Sequence, residues 1–150
     1  MSVAQTIDLE FFDHQEAFPI DLEAMHRAAT KALPLVLQHP GPEESNLKEG
    51  GSIEFSFVDD AVISKVHADF LDDPTPTDVI TFQHGEILIS TETAARQGAD
   101  HGQPLQQELT LYAIHGLLHL HGHEDHTPEG AATMKQLQET ILLQVSQEID

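Results

Sequence analysis

The segment from Leu105 to His126, LQQELTLYAIHGLLHLHGHEDH, restricts the fold more than any other stretch of the chain. Leu109, Tyr112, Leu117, Leu118 and Leu120 cover much of the circumference of a helix over residues 105–121, which marks it as a central helix of a layered domain. Bare imidazoles are costly in such a setting. Yet His115 and His119 lie on this helix four residues apart, which puts both rings on one side, about 6 Å from each other. Neutral imidazole nitrogens suit zinc, and a catalytic zinc takes three protein ligands with a fourth position left to water or substrate. Gly122 can adopt the left-handed conformation that ends a helix, turning the chain back so that Asp125 or His126 returns to the pair. An HxxxH pair alone carries little weight in a chain with eleven histidines. The apolar surroundings and the turn give it weight.

The rest of the chain reads as alternating strands and helices. Ile7, Leu9 and Phe11 alternate with Asp8 and Glu10 as in a strand, and Asp21 is placed to cap a helix carrying Leu22, Met25, Ala29, Ala32 and Leu33, with Pro34 in its last turns. Residues 39–51, HPGPEESNLKEGG, read as an exposed connection. Ile53, Phe55 and Phe57 form a second strand, and Asp59 or Asp60 opens a helix with Val62, Val66 and Phe70 at helical spacing, broken at 72–77. DVITFQHGEILIS predicts two short strands about His84 and Gly85. Helices follow over Thr91–Ala99 and 105–121, the second with Pro104 compatible with its first turn. A last helix has Thr127 as cap, Pro128 at its first position and Met134, Leu137, Ile141 and Val145 as its buried stripe. The glycine-centred pair near residue 85 supplies an antiparallel member, so the expected class is α+β with a mixed sheet and helices.

The chain has 150 residues, 39% of them hydrophobic, enough for one domain spanning residues 1–150 with a real core. It has no cysteine, which excludes disulfides and is compatible with a reducing cytosol. The first residues show no basic leader followed by an apolar stretch, and nowhere do about eighteen apolar residues run together, so a cytoplasmic protein with no membrane partner is expected. Twenty-six acidic against six basic residues give a formal charge of −20, which repels phosphate backbones at long range; no DNA partner is expected. The six basic residues fit either a local patch able to meet a phosphate or a scatter of solubilising charges. Arg27 and Lys31 share a helix face, where Lys48, Lys65, Arg96 or Lys135 can join them through the fold.

HGLLHLHG from His115 to Gly122, together with PTDVITF from Pro76 to Phe82 and GEILIS from Gly85 to Ser90, resembles the YbeY family of bacterial metal-dependent endoribonucleases and ribosomal RNA maturation factors. The spacing between the blocks also fits, and the resemblance extends over nearly the whole chain. It implies a mixed, mostly parallel four-stranded sheet with about five helices, and one zinc ion per chain held by three side chains. It also implies a role in processing and quality control of small-subunit ribosomal RNA, with that RNA and the small subunit or its proteins as partners. His115 and His119 map onto two family ligands. The family's third histidine falls at Asp125 here, and His126 follows it. The ungapped register from Gly122 to Met134 favours Asp125, while ordinary ligand preference favours His126. Neighbours in extended chain point oppositely, so one of the two binds. The family also carries an arginine ahead of its PTDV block, where this chain has Leu71.

Such a zinc would acidify its bound water and polarise a phosphoryl oxygen, so that water is the expected nucleophile of an RNA hydrolase. The HExxH peptidase pattern needs a glutamate directly after its first histidine, where this chain has Gly116. Glu108, seven residues before His115, lies about 10 Å along the helix axis, out of reach of the ion. His121 and His123 are candidates for proton transfer or substrate contact, set against simple surface exposure. Asp78 and Glu86, at strand edges, fit a cleft wall or a turn hydrogen bond equally. The alternatives to an endoribonuclease are a ribosome-assembly binding protein with a structural metal and a zinc hydrolase of other substrates.

Overall fold

The computed structural model describes residues 7–48, 50–71 and 77–148, apart from the side chains of Leu71, Gln147 and Glu148. Residues 72–76, where the second helix was expected to break, and Leu71's side chain lie outside the described residues. In chain order the elements are β1 (Asp8–Asp13), α1 (Leu22–Leu37), β2 (Ser52–Val58), α2 (Asp60–Leu71), β3 (Val79–Phe82), β4 (Glu86–Ser90), α3 (Thr91–His101), α4 (Leu105–Leu120) and α5 (Pro128–Glu148).

Local chemistry sets the ends of these elements. Asp21 Oδ1 accepts the Ala24 N–H at 3.0 Å and starts α1, a cap whose loss costs about 1 kcal/mol. Pro34 sits inside α1 on an exposed face, so the helix carries it into its last turn. Asp59, not Asp60, caps α2: its Oδ1 accepts from Val62 N at 2.8 Å and Asp60 is the first helical residue. α3 runs two residues beyond the expected Ala99, to His101, because the N–H of Gly102 and that of Gln103 close the last turn on Ala99 and Gly98 carbonyls. Thr127 Oγ1 accepts from Gly130 N at 3.0 Å, so the final helix begins at Pro128 as its sequence predicts.

The strands form a sheet in the order β1-β2-β4-β3. β1 pairs with β2 and β2 with β4 in parallel, while β3 and β4 form the antiparallel hairpin about Gly85. The fold is therefore α+β, with a mixed, mostly parallel four-stranded sheet and five helices among the described residues. Strand periodicity divides the apolar side chains between two layers. Phe55, Phe57, Ile87 and Ile89 face the main core built with α1, α4 and α5, whereas Val58, Ile80 and Leu88 face Ile63 of α2 on the other side.

α4 is the centre of this arrangement, packed against α1, α3, α5 and the β3–β4 hairpin. Leu109, Ile114, Leu117, Leu118 and Leu120 are wholly or almost wholly buried, as the all-round apolar pattern requires. Its closest approach to the sheet is at Gly116. A Cβ at that position would lie 2.8 and 2.9 Å from Cδ1 and Cγ2 of buried Ile87, so β4 leaves no room there for a side chain.

Candidate metal centre

His115 and His119 leave the last two turns of α4 on the same side, with ring centroids 4.6 Å apart and planes at 80°. Their Nε2 atoms face each other at 3.1 Å. The chain then turns at Gly122 (φ 97°) and brings Asp125 back, with Oδ2 3.5 Å from His115 Nε2 and 3.6 Å from His119 Nε2. Among the described residues these three side chains form a group able to hold a metal ion, their ligand atoms lying within 4.8 Å of one another.

The outer nitrogens of both rings are already committed. His119 Nδ1–H donates to the carbonyl of His123 at 2.9 Å, and His115 Nδ1–H to Gln138 Oε1 of α5 at 2.8 Å. A neutral imidazole has one N–H, so both Nε2 atoms present lone pairs to the shared space. Burial first, and then the neighbouring His115, hold His119 below the usual histidine pKa, against the opposing pull of Asp125 and the His123 carbonyl. Two lone pairs and a carboxylate oxygen converging without a hydrogen between them repel one another. A cation between them removes that repulsion, and the nitrogen and oxygen donors suit zinc.

Asp125 comes up to the imidazoles and His126 does not. The His126 ring is 72% exposed and pairs with Glu124 at 3.3 Å, as opposite directions for adjacent extended residues require. His121 and His123 are neither surface groups nor members of the cluster. Both are buried and turned to the segment after α1: Ser45 Oγ donates to His121 Nδ1 at 2.7 Å, His121 Nε2 donates to the Leu37 carbonyl at 3.2 Å, and His123 Nε2 donates to the His39 carbonyl at 2.6 Å. Backbone bonds extend this junction, from Gly41 N to His121 O at 2.9 Å, Glu43 N to Gly122 O at 3.0 Å and Asn46 N to Leu120 O at 2.6 Å. A Cβ on Gly122 would collide with the Glu43 carbonyl, and one on Gly41 with the Gly122 backbone. The ligand-bearing turn is thus held from outside by the connection between α1 and β2.

The remaining candidates have local roles. Asp78 Oδ1 accepts from Val79 N at 2.8 Å, and half-buried Glu86 pairs with exposed His84 at 3.3 Å. Glu108 is 1% exposed, with His101 Nδ1 3.6 Å from its carboxylate, at the α3–α4 contact. Of the six cations, Lys65 pairs with Asp69 and Arg96 with Asp60, which removes both from any common basic patch. Gln138 went unnoticed in the sequence. The available signal was its position one residue after Leu137 on the apolar stripe of α5, where a polar side chain requires a buried partner.

Comparison with known proteins gives a consistent picture. The Endoribonuclease YbeY family profile matches residues 10–146. The chain is 32% identical over 149 residues to "Endoribonuclease YbeY" of Moorella thermoacetica, covering 87% of this chain and 92% of that one. It is 39% identical over 95 residues to the protein of the same name from Rhodopirellula baltica, covering 57% of this chain and 49% of that longer one. The solution structure of TM1509 from Thermotoga maritima shares the fold, with a TM-score of 0.64 at 20% identity over 93% of this chain and 90% of the other. With the family profile spanning all nine elements at least in part and the histidine helix at its centre, the chain belongs to the Endoribonuclease YbeY family.

Proposed function

We propose that the protein is a zinc-dependent, single-strand-specific endoribonuclease whose residues 1–150 form one hydrolase domain with one ion per chain. The convergence of His115 Nε2, His119 Nε2 and Asp125 Oδ2 carries this reading. His115, His119 and Asp125 hold the ion in it; Gln138 and the His123 carbonyl keep both imidazoles in the ligating tautomer. When bound, zinc supplies Lewis acidity to a phosphoryl oxygen and lowers the pKa of a water. Gly116 leaves the position after His115 without the carboxylate that a peptidase of the HExxH type uses, which supports a phosphodiester substrate over a peptide. Family membership supports small-subunit ribosomal RNA maturation and quality control in the cytoplasm as the setting, with that RNA and the small subunit or its proteins as partners. None of the described helices is long and apolar enough to cross a membrane.

A second reading, a metal-stabilised ribosome-assembly protein without turnover, is favoured by the charge of −20 and by Leu71 in place of the family's arginine. Elemental analysis combined with cleavage of an unstructured RNA separates the two. The nuclease reading expects about one zinc per chain and cleavage that disappears, with the metal, in His119→Ala. Stoichiometric zinc with no cleavage by wild type and a gain in Leu71→Arg would establish the second.

A further inference from the structure

Two cavities adjoin the candidate metal centre, one on each side, and their walls differ in charge. The smaller, about 310 Å³, borders His119 and is walled by Glu43, Glu44 and Glu124, with no cation. The larger, about 780 Å³, runs between α4 and α5 from His115 and Asp125 and is lined by one cation, Lys135, with a second carboxylate, Glu139, one turn further along α5. Its size is that of a ligand cleft, in the range of roughly 300–1,000 Å³. Leu111, Met134, Leu142 and Leu143 give it an apolar floor, and Gln103 and Gln107 stand toward the α3 side.

Lys135 is the cation available at this centre. It is exposed, has no ion-pair partner among the described residues, and lies one helical turn from Gln138, which holds His115. Lys65 and Arg96 are paired with carboxylates, Lys48 borders a different cavity beside Gly51 and His84, and Arg27 and Lys31 lie on α1. A polyanion approaching a chain of charge −20 needs a local cation where its phosphates come to rest. The smaller cavity sets three carboxylates and no cation against it; the α4–α5 groove sets one lysine against Glu139 and the candidate ligand Asp125, and adds aliphatic surface for base faces and amides for base edges.

We infer that a single RNA strand reaches the metal centre along the groove between α4 and α5, with Lys135 as the residue that positions a phosphate beside the His115–Asp125 side of the site. This rests on the endoribonuclease reading above. A paired base has its faces covered by stacking and its edges occupied, so the groove selects unpaired nucleotides.

The test measures binding of a fluorescently labelled unstructured RNA oligonucleotide at several salt concentrations, alongside zinc content and cleavage kinetics. Lys135→Ala should weaken binding several-fold whatever the sequence, and lower the slope of log affinity against log salt by about 0.7, the value for one lost contact on a single strand. Lys135→Arg should restore both, Lys135→Glu should weaken binding further, and zinc content should stay at the wild-type level in all three. In cleavage, KM should rise with kcat little changed, the mark of lost uniform binding. Unchanged affinity and slope in Lys135→Ala overturn the inference, most directly if Gln83→Ala, which alters a residue lining the smaller cavity, lowers affinity instead. Failure of the endoribonuclease reading is distinguishable: wild type would bind RNA with the Lys135-dependent slope and never cut it. Wild type that binds no RNA overturns both.

Discussion

A metal centre with three protein donors depends on the atoms behind those donors as much as on the donors themselves. Gln138 touches His115 only through Nδ1, so Gln138→Leu removes a tautomer lock while leaving every ligand in place. Zinc affinity should fall by about 10–100-fold, read by competition with a chromophoric chelator; an unchanged affinity would show that packing alone fixes the His115 ring. Asp125→Ala should release the ion, whereas His126→Ala, which removes an outward ring paired with Glu124, should retain it. The same assay checks both. Gly116→Ala tests the contact between α4 and β4. Its Cβ must displace Ile87, a fully buried side chain, so unfolding free energy should drop by about 1–3 kcal/mol in urea titration. At this scale the shared side of the two histidines was readable from their spacing, because helix geometry ties residue i to i+4, and the apolar helix around them gave the pair its weight. The choice between Asp125 and His126 was not, because it depends on the course of a turn whose shape is set by Glu43 and Gly41, some eighty residues away in sequence.

Between elements, the start of α2 is joined to the start of α3 by one carboxylate. Asp60 Oδ1 accepts from Ser90 Oγ at 2.6 Å and Thr93 Oγ1 at 2.8 Å, and Oδ2 pairs with Arg96 Nη1 at 2.8 Å. Burial on its own raises the pKa of this group. The hydrogen bonds from Ser90, Thr93 and Arg96, with the charge of Arg96, outweigh burial and leave it below the ordinary aspartate value. Its contribution is therefore present above the unfolded pKa of about 3.9 and is lost as pH falls through the folded value. Asp60→Ala should cost about 2 kcal/mol near neutral pH, and the difference from wild type should shrink in strong acid, where both carry an uncharged group. Denaturant titrations across that range measure it. Strand and helix order was legible in the sequence because the apolar periodicities of two and about 3.6 are local properties. This carboxylate link was not: Asp60 reads as a helix-start residue whether or not Ser90 and Arg96 lie beside it.

For the molecule as a whole, binding of an ion to the folded state alone couples metal to stability. Chelation should lower the melting temperature, and added zinc should restore it in wild type but not in His115→Ala. Without metal, the folded His119 titrates below its unfolded counterpart, so the unfolded chain binds more protons between the two values and stability falls as pH drops below about 6.5. His121, lowered first by burial and further by His123 against the Leu37 carbonyl, acts in the same direction. Melting of chelated protein at pH 7.5 and 5.5 should show the lower temperature at the acidic end; a flat profile would contradict the lowered titration of His119 and His121.

The hydrogen bonds from Gly41, Glu43 and Asn46 onto residues 120–122 carry one more consequence. None of these upstream residues belongs to the His115–His119–Asp125 group, yet a protease nick or an insertion among them would slacken the arc that presents the carboxylate. Any partner that grips this outer rim gains a remote handle on how that carboxylate is presented to the two imidazoles.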